Sequence, residues 1–329
     1  MLPGFDPEFA DIPDYIVKVT ERIWEGRGIG RIRDWYADDC RVHTTMGPSV
    51  GVPAVIAGTL DTLNAFPDRR LLAEDIIWSE LEPGTYLSSH RVSAPARHDG
   101  DGAFGPPTGR ELHFRAIADC VCRADRVIEE WLVRDQEGIA LQLGLDPDPL
   151  AAGLAARDAA AGVAPWHLAE AERLRDTGRC ERATLSDDPA AALVCDLLSA
   201  IYDGTDLDRI NTTLHPAAVS HLPGAVTLHG HERLQRRLFG FLAAFPGGRF
   251  AIEHASVLDE PGLPARVAVR WWFTGVHRGH GRFGEPSGAT VLLLGVTHAN
   301  VAGGRIRELW TVADELALRK QIARHRLGT

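Results

Sequence analysis

The chain repeats itself. Sliding the 329-residue sequence by 179 positions lays Gly51–Asp135 on Gly230–Asp314 without a gap, and 20 of the 85 pairs are identical. The identities fall in collinear blocks. Ala65-Phe66-Pro67 meets Ala244-Phe245-Pro246, and Arg91 meets Arg270. His98-x-Gly-x-Gly-x-Phe-Gly-x-Pro-x-Gly109 meets the same spacing from His277 to Gly288, and Glu129-x-Trp131-x-Val133-x-Asp135 meets Glu308-x-Trp310-x-Val312-x-Asp314. Upstream, His43 meets His221 after a one-residue shift. Chance does not order several blocks this way, so the chain is two homologous domains in tandem, as its length also suggests. The expected division is a first domain over 1–145, a helical connector over 146–189 and a second domain over 190–329.

Each copy has the same pattern of elements. An amphipathic helix comes first, near Tyr15–Glu25 and Ala190–Tyr202. A short strand ends at His43 or His221. A second helix runs from about Val52 to Ala65, or from His231 to Ala244, and stops at Phe-Pro, because proline restricts its predecessor and cannot continue the helix. Four strands rich in β-branched and apolar residues follow, at about Arg70–Glu80, Thr85–Ala96, Glu111–Arg123 and Val127–Arg134 in copy one. Their counterparts are Phe250–Asp259, Ala265–Val276, Thr290–Val301 and Arg305–Val312. Helices followed by an antiparallel meander predict an α+β domain. Between the copies, Leu150–Arg157 and Trp166–Arg175 contain strong helix formers, and Asp-Pro steps bound the segment.

Composition narrows the function classes. The formal charge is −10 and no basic cluster stands out, which argues against nucleic acid as a partner. The first residues show no leader and no long apolar run occurs, so a soluble cytoplasmic protein with no membrane partner is expected. Five cysteines at irregular spacing (Cys40, Cys120, Cys122, Cys180 and Cys195) fit a reducing compartment. Cys120 and Cys122 lack a second pair for a metal, and His277, His280 and His298 lack a carboxylate at the right spacing, so no metal site is expected. The glycines after His98 have no strand–turn–helix setting, so they serve a turn and not a phosphate loop.

The glycine-rich hairpin ending Phe104-Gly-Pro-Pro-Thr-Gly109, the strand after it, and Asp125-Arg-Val-Ile-Glu-Glu-Trp131 resemble SnoaL-like polyketide cyclases and predicted ester cyclases of the nuclear transport factor 2-like superfamily. Phe283–Gly288 and Gly304–Trp310 carry the same resemblance in copy two. It implies two cone-like domains, each a curved antiparallel sheet packed on N-terminal helices around a pocket for a small hydrophobic molecule. It also implies cofactor-free chemistry in which a carboxylate directly after the strand's tryptophan exchanges a proton during aldol closure. Leu132 and Thr311 stand at that position here, and neither exchanges a proton near neutral pH.

Strand alternation supplies substitutes, since residues two apart share a face. If Leu132 faces the pocket, so do Ile128, Glu130 and Arg134, which makes Glu130 the candidate acid–base group; the competing reading is a surface pair with Arg134. His43 could move a proton. Arg91 could hold a substrate oxygen or form a salt bridge with Glu74, as Arg270 could with Glu253. Trp35, Ser93, Leu132, His221, Arg270, Trp272 and Thr311 are the candidate ligand contacts. Trp271, Trp272 and Phe273 stand where copy one has Val92, Ser93 and Ala94, so the copies have diverged inside, which allows one pocket to bind a ligand while the other is filled and serves assembly; Glu130 and the polar run Ser88, Ser89, His90 and Ser93 favour copy one as the active pocket. The first reading is a cofactor-free cyclase, isomerase or hydrolase acting on a small hydrophobic carbonyl compound; a non-catalytic binder and a tandem pseudo-dimer, with further homodimerisation, are the alternatives to an enzyme.

Overall fold

The computed structural model describes residues 2–177, 184–204 and 206–328. Cys180 lies outside them. The chain divides into two compact units. The first runs to Arg134 and takes in Ile139–Leu145, and the second holds Asp135–Gly138 and the chain from Asp146 onward.

In the first unit, α1 (Ile12–Thr20) starts at Asp11, whose carboxylate accepts from the Asp14 amide, and a π-helical turn carries it to Glu25. Ile12, Tyr15, Ile16 and Val19 form its buried face. A short α2 (Ile32–Trp35) leads into β1 (Tyr36–His43) and β2 (Ser49–Val50). α3 (Val52–Ala65) ends at Phe66, whose ψ of 72° leaves the helical region before Pro67. The meander is β3 (Leu72–Glu82), β4 (Thr85–Arg97), β5 (Glu111–Arg123) and β6 (Arg126–Arg134). The sheet order is β2-β1-β6-β5-β4-β3. One pairing departs from the antiparallel expectation: β1 lies parallel to β6, so the sheet is mixed. No hairpin joins these two strands; α3 and the rest of the meander lie between them, so local turn chemistry does not set their relative direction.

α4 (Gln136–Gln142), α5 (Pro147–Ala160), α6 (His167–Thr177) and β7 (Thr184–Leu185) lead to the second unit's cone. Within that unit α5 packs on α10 (Glu315–Arg326), and α6 packs on the sheet with Ala171 and Leu174 buried. The second copy then repeats the first: α7 (Pro189–Tyr202), α8 (Arg209–Thr213), β8 (Leu214–Leu222), β9 (Val226–His229), α9 (His231–Leu242), β10 (Arg249–Leu258), β11 (Ala265–Val276), β12 (Thr290–Ala302) and β13 (Arg305–Ala313). Its sheet order is β7-β10-β11-β12-β13-β8-β9, with β8 parallel to β13.

The identities shared by the copies serve the fold. At Gly100 a Cβ would sit 1.9 Å from the Asn64 carbonyl oxygen, and at Gly279 1.8 Å from that of Ala243, so the glycine-rich loop can lie against the end of the second helix. His98 and His277 are buried at the base of that loop, against Thr108 and Ser287. Asp314 caps α10 by accepting from the Ala317 amide. Among the described residues no helix is long and apolar enough to cross a membrane.

Candidate active site

The cross-strand register decides which residues face the interior of copy one. Leu132 pairs with Ala118, Ala118 with His90, and His90 with Ile76, so these four share a face. That face borders a cavity of about 270 Å³ between the sheet and α1 and α3. Most of its wall is apolar: Ile16 and Val19 from α1, Val55 from α3, and Val92, Phe114 and Leu132 from the sheet. The polar lining is concentrated in Tyr36, Arg69, His90, Glu130 and Arg134, together with several threonines. A second space of about 240 Å³ shares Ile16, Thr20, Leu71, His90 and Val92 with it.

Glu130 is 7% exposed, and the Tyr36 hydroxyl donates to its Oε2 at 3.1 Å. Burial pushes its carboxyl from the ordinary 4.5 up to about 7, against the Tyr36 hydrogen bond and the charge of Arg134, which both lower it. Burial holds His90 neutral, down at about 4, and Ser88 Oγ lies 3.3 Å from its Nδ1. The thiols of Cys40, Cys120 and Cys122 are buried nearby and pushed upward, Cys40 to about 12, so they stay protonated and unreactive. No group of three metal-binding side chains occurs among the described residues.

The raised Glu130 value carries a consequence for stability. Unfolded, this carboxyl loses its proton near 4.5; folded, it keeps it to about 7. The folded state therefore binds more protons across that window, and stability falls as pH rises through it, by about 3 kcal/mol from this group. Glu130→Gln removes the penalty, so its thermal midpoint is expected to exceed wild type at pH ~8 and to approach it at pH ~5. Parallel midpoints across that range would contradict the burial argument.

The structure brings Glu130 and Leu132 to the cavity and turns several other candidates away from it. Val42 and Thr44 line the cavity strand, so His43 between them points outward. There its Nε2 lies 2.8 Å from Glu129 Oε1, and its ring stacks on Trp131 at 4.8 Å. His221 repeats this in copy two with Glu308 at 3.0 Å and Trp310. Arg91 pairs with Ile117 in register, on the outer face, and its Nε donates to Glu74 at 2.8 Å. Arg270 donates to Glu253 at 3.0 Å. In both copies a register shift in the first strand of the meander, β3 or β10, brings that glutamate beside its arginine. Ser93 also faces outward, against His113. Trp35 is buried among Arg22 and Arg31 rather than at the cavity wall.

Copy two is filled where copy one is hollow. Trp271 takes the place of Val92 and pairs with Gly295, which takes the place of Ala116. A Cβ at Gly295 would sit 2.1 Å from the indole, so the glycine makes room for the ring. Trp271 and Phe273 are both fully buried, and the Trp271 indole donates to Thr297, which touches Thr311. Trp272, one residue on, faces outward and donates to Glu253. Tyr36, Arg69, His90, Glu130 and Arg134 become Leu214, Gly248, Val269, Leu309 and Ala313. The polar lining of copy one is thus absent from the counterpart positions, although the fold is the same. Tyr36 and Arg69 carried no periodic signal as site residues, because a helix–strand junction and a turn deliver them, and His90 stood out only within the polar run of its strand.

No curated protein matches the chain. Among solved structures, a protein from Jannaschia sp. CCS1 aligns at 23% identity over 44% of this chain and 97% of its own, with a TM-score of 0.37. AclR from Streptomyces galilaeus aligns at 24% identity over 40% of this chain and 83% of its own, TM-score 0.34. IdmH from Streptomyces antibioticus aligns at 22% over 43% and 99%, TM-score 0.35. The family pattern described as SnoaL-like polyketide cyclase matches twice, over residues 15–143 and 192–322, which together span most of the sequence. The chain belongs to the SnoaL-like polyketide cyclase family, as two tandem copies.

Proposed function

We propose that copy one is a cofactor-free enzyme that moves a proton on a small, mostly apolar carbonyl compound, with Glu130 as the acid–base group. Family membership supports a cyclase or a related small-molecule-binding role. The observation that carries the catalytic reading is a buried carboxyl in a largely apolar cavity, held near pH 7 where it can both take and return a proton. Tyr36 engages Oε2, which offers Oε1 to the ligand. In the step envisaged, the carboxylate removes a proton from the carbon beside a carbonyl. The enolate then attacks a second carbonyl of the same molecule, or is reprotonated elsewhere, and the proton returns from Glu130. Leu132 occupies the place where the family carries its acid, and Glu130 lies two residues earlier on the same face, about 7 Å along the strand.

Proton exchange of β-tetralone in deuterium oxide, compared between wild type and Glu130→Gln, tests this reading; equal rates would sink it. A second reading, a binder without turnover, is favoured by Leu132 and Thr311 standing where an acid is expected. Under that reading the freshly purified chain retains an apolar ligand in native mass spectrometry, and exchange does not exceed the buffer rate.

A further inference from the structure

We propose that the cavity of copy one takes ligands bearing a carboxylate, and that the guanidinium of Arg69, with Arg134 bordering the same cavity, is the seat of that carboxylate. The inference rests on the cavity being the ligand site and not on Glu130 being catalytic. Arg69 follows the Phe-Pro turn, its amide donating to the Phe66 carbonyl. It is 4% exposed and lines the cavity, and its Nε and Nη2 have no hydrogen-bond partner. The Nε and Nη2 edge of the guanidinium has given up its water and received no acceptor in return, an arrangement that folded proteins avoid unless a partner arrives.

Neutralisation offers no escape. Burial, then the charges of Arg134 and Arg27, push Arg69 down to about 10, which still leaves it a cation at neutral pH. The acidic group whose field reaches it, Glu25, is engaged elsewhere, by Arg70 and the Leu71 amide. The fold does not require this charge, for Gly248 and Ala313 replace Arg69 and Arg134 in copy two. A planar carboxylate supplies the two acceptors that a guanidinium fork lacks here.

Position adds a constraint on the ligand. Glu130 and Arg134 sit on the same face of β6 four residues apart, about 13 Å between Cα atoms. Leu132 lies between them, with Ala116 and Ala118 on the neighbouring strand. The matching ligand has an apolar body about two rings long, with its carboxylate at the arginine end and its far end at Glu130.

The test is calorimetric titration of β-naphthoate and its methyl ester into the full chain at pH ~7.5, repeated with Arg69→Met, Arg69→Lys and Glu130→Gln. Wild type is expected to bind the acid about 10–100-fold more tightly than the ester. Arg69→Met is expected to erase that preference, Arg69→Lys to keep part of it, and Glu130→Gln to keep all of it even where proton exchange is lost. The Arg69→Met chain without ligand should melt no lower than wild type, since it loses an unsatisfied buried charge. Equal affinity for acid and ester, no binding of the acid at millimolar concentration, a preference that survives Arg69→Met, or a clear fall in its melting temperature would each overturn the proposal.

Discussion

Deuterium exchange into β-tetralone is expected to slow by roughly 10²–10⁴-fold when Glu130→Gln is introduced into the full chain, the range that a positioned general base contributes. The variant keeps the shape of the side chain and a hydrogen-bond acceptor for Tyr36, so loss of rate reports loss of the base and not collapse of the wall. The pH profile gives an independent check. Only the carboxylate accepts a proton, and Glu130 holds its proton up to about 7, so the rate should rise through that pH and then level. The Tyr36 hydrogen bond lowers the Glu130 value. Tyr36→Phe should therefore move the midpoint upward and slow exchange at pH 7, while leaving the plateau rate closer to wild type. A profile that does not move in Tyr36→Phe would contradict the direct contact between the two residues.

Trp271→Ala is expected to cost about 3–5 kcal/mol in urea unfolding, the range for removing a fully buried tryptophan from a packed core. Trp271 lies against Tyr202 at 4.8 Å and Phe250 at 5.4 Å, and its ring occupies the space above Gly295. Gly295→Ala alone should also destabilise, because the added methyl meets the indole and a filled core cannot absorb it. Combining Trp271→Val with Gly295→Ala rebuilds the Val92/Ala116 pair of copy one, so the double variant should lose less than the two single changes added together. A loss under ~1 kcal/mol in Trp271→Ala would show that the ring does not fill the core of copy two.

The tandem repeat and the order of elements were readable because they rest on local signals: Phe-Pro at a helix end, glycines in the hairpin, and β-branched strands between turns. The inward face of β6 was readable from Glu130 onward, since Glu130, Leu132 and Arg134 share a two-residue period and border the cavity, but a register shift opposite Val121 and Cys122 brings Val127 to the cavity in place of Ile128. Neighbouring strands were harder. Arg91, Ser93 and Trp272 are single residues away from His90, Val92 and Trp271, and a one-residue change of register exchanges the two faces of a strand. The chain of partners His90, Ala118 and Leu132 that settles the matter is a tertiary fact. The parallel placement of β1 beside β6, which delivers Tyr36 to Glu130, joins residues 94 apart and has no local signal. The glutamates that neutralise Arg91 and Arg270 were legible as shared residues, but the strand irregularities that deliver them were not.

Crystals of the full chain under xenon pressure test most directly whether the copies share a fold but differ inside, because xenon occupies apolar voids and leaves filled cores empty. Xenon is expected in copy one, in the cavity walled by Val92, Phe114 and Leu132, with no comparable peak beside Trp271 and Gly295 in copy two. Equal occupancy inside both copies, or a peak inside copy two alone, would contradict the assignment of the ligand site to copy one.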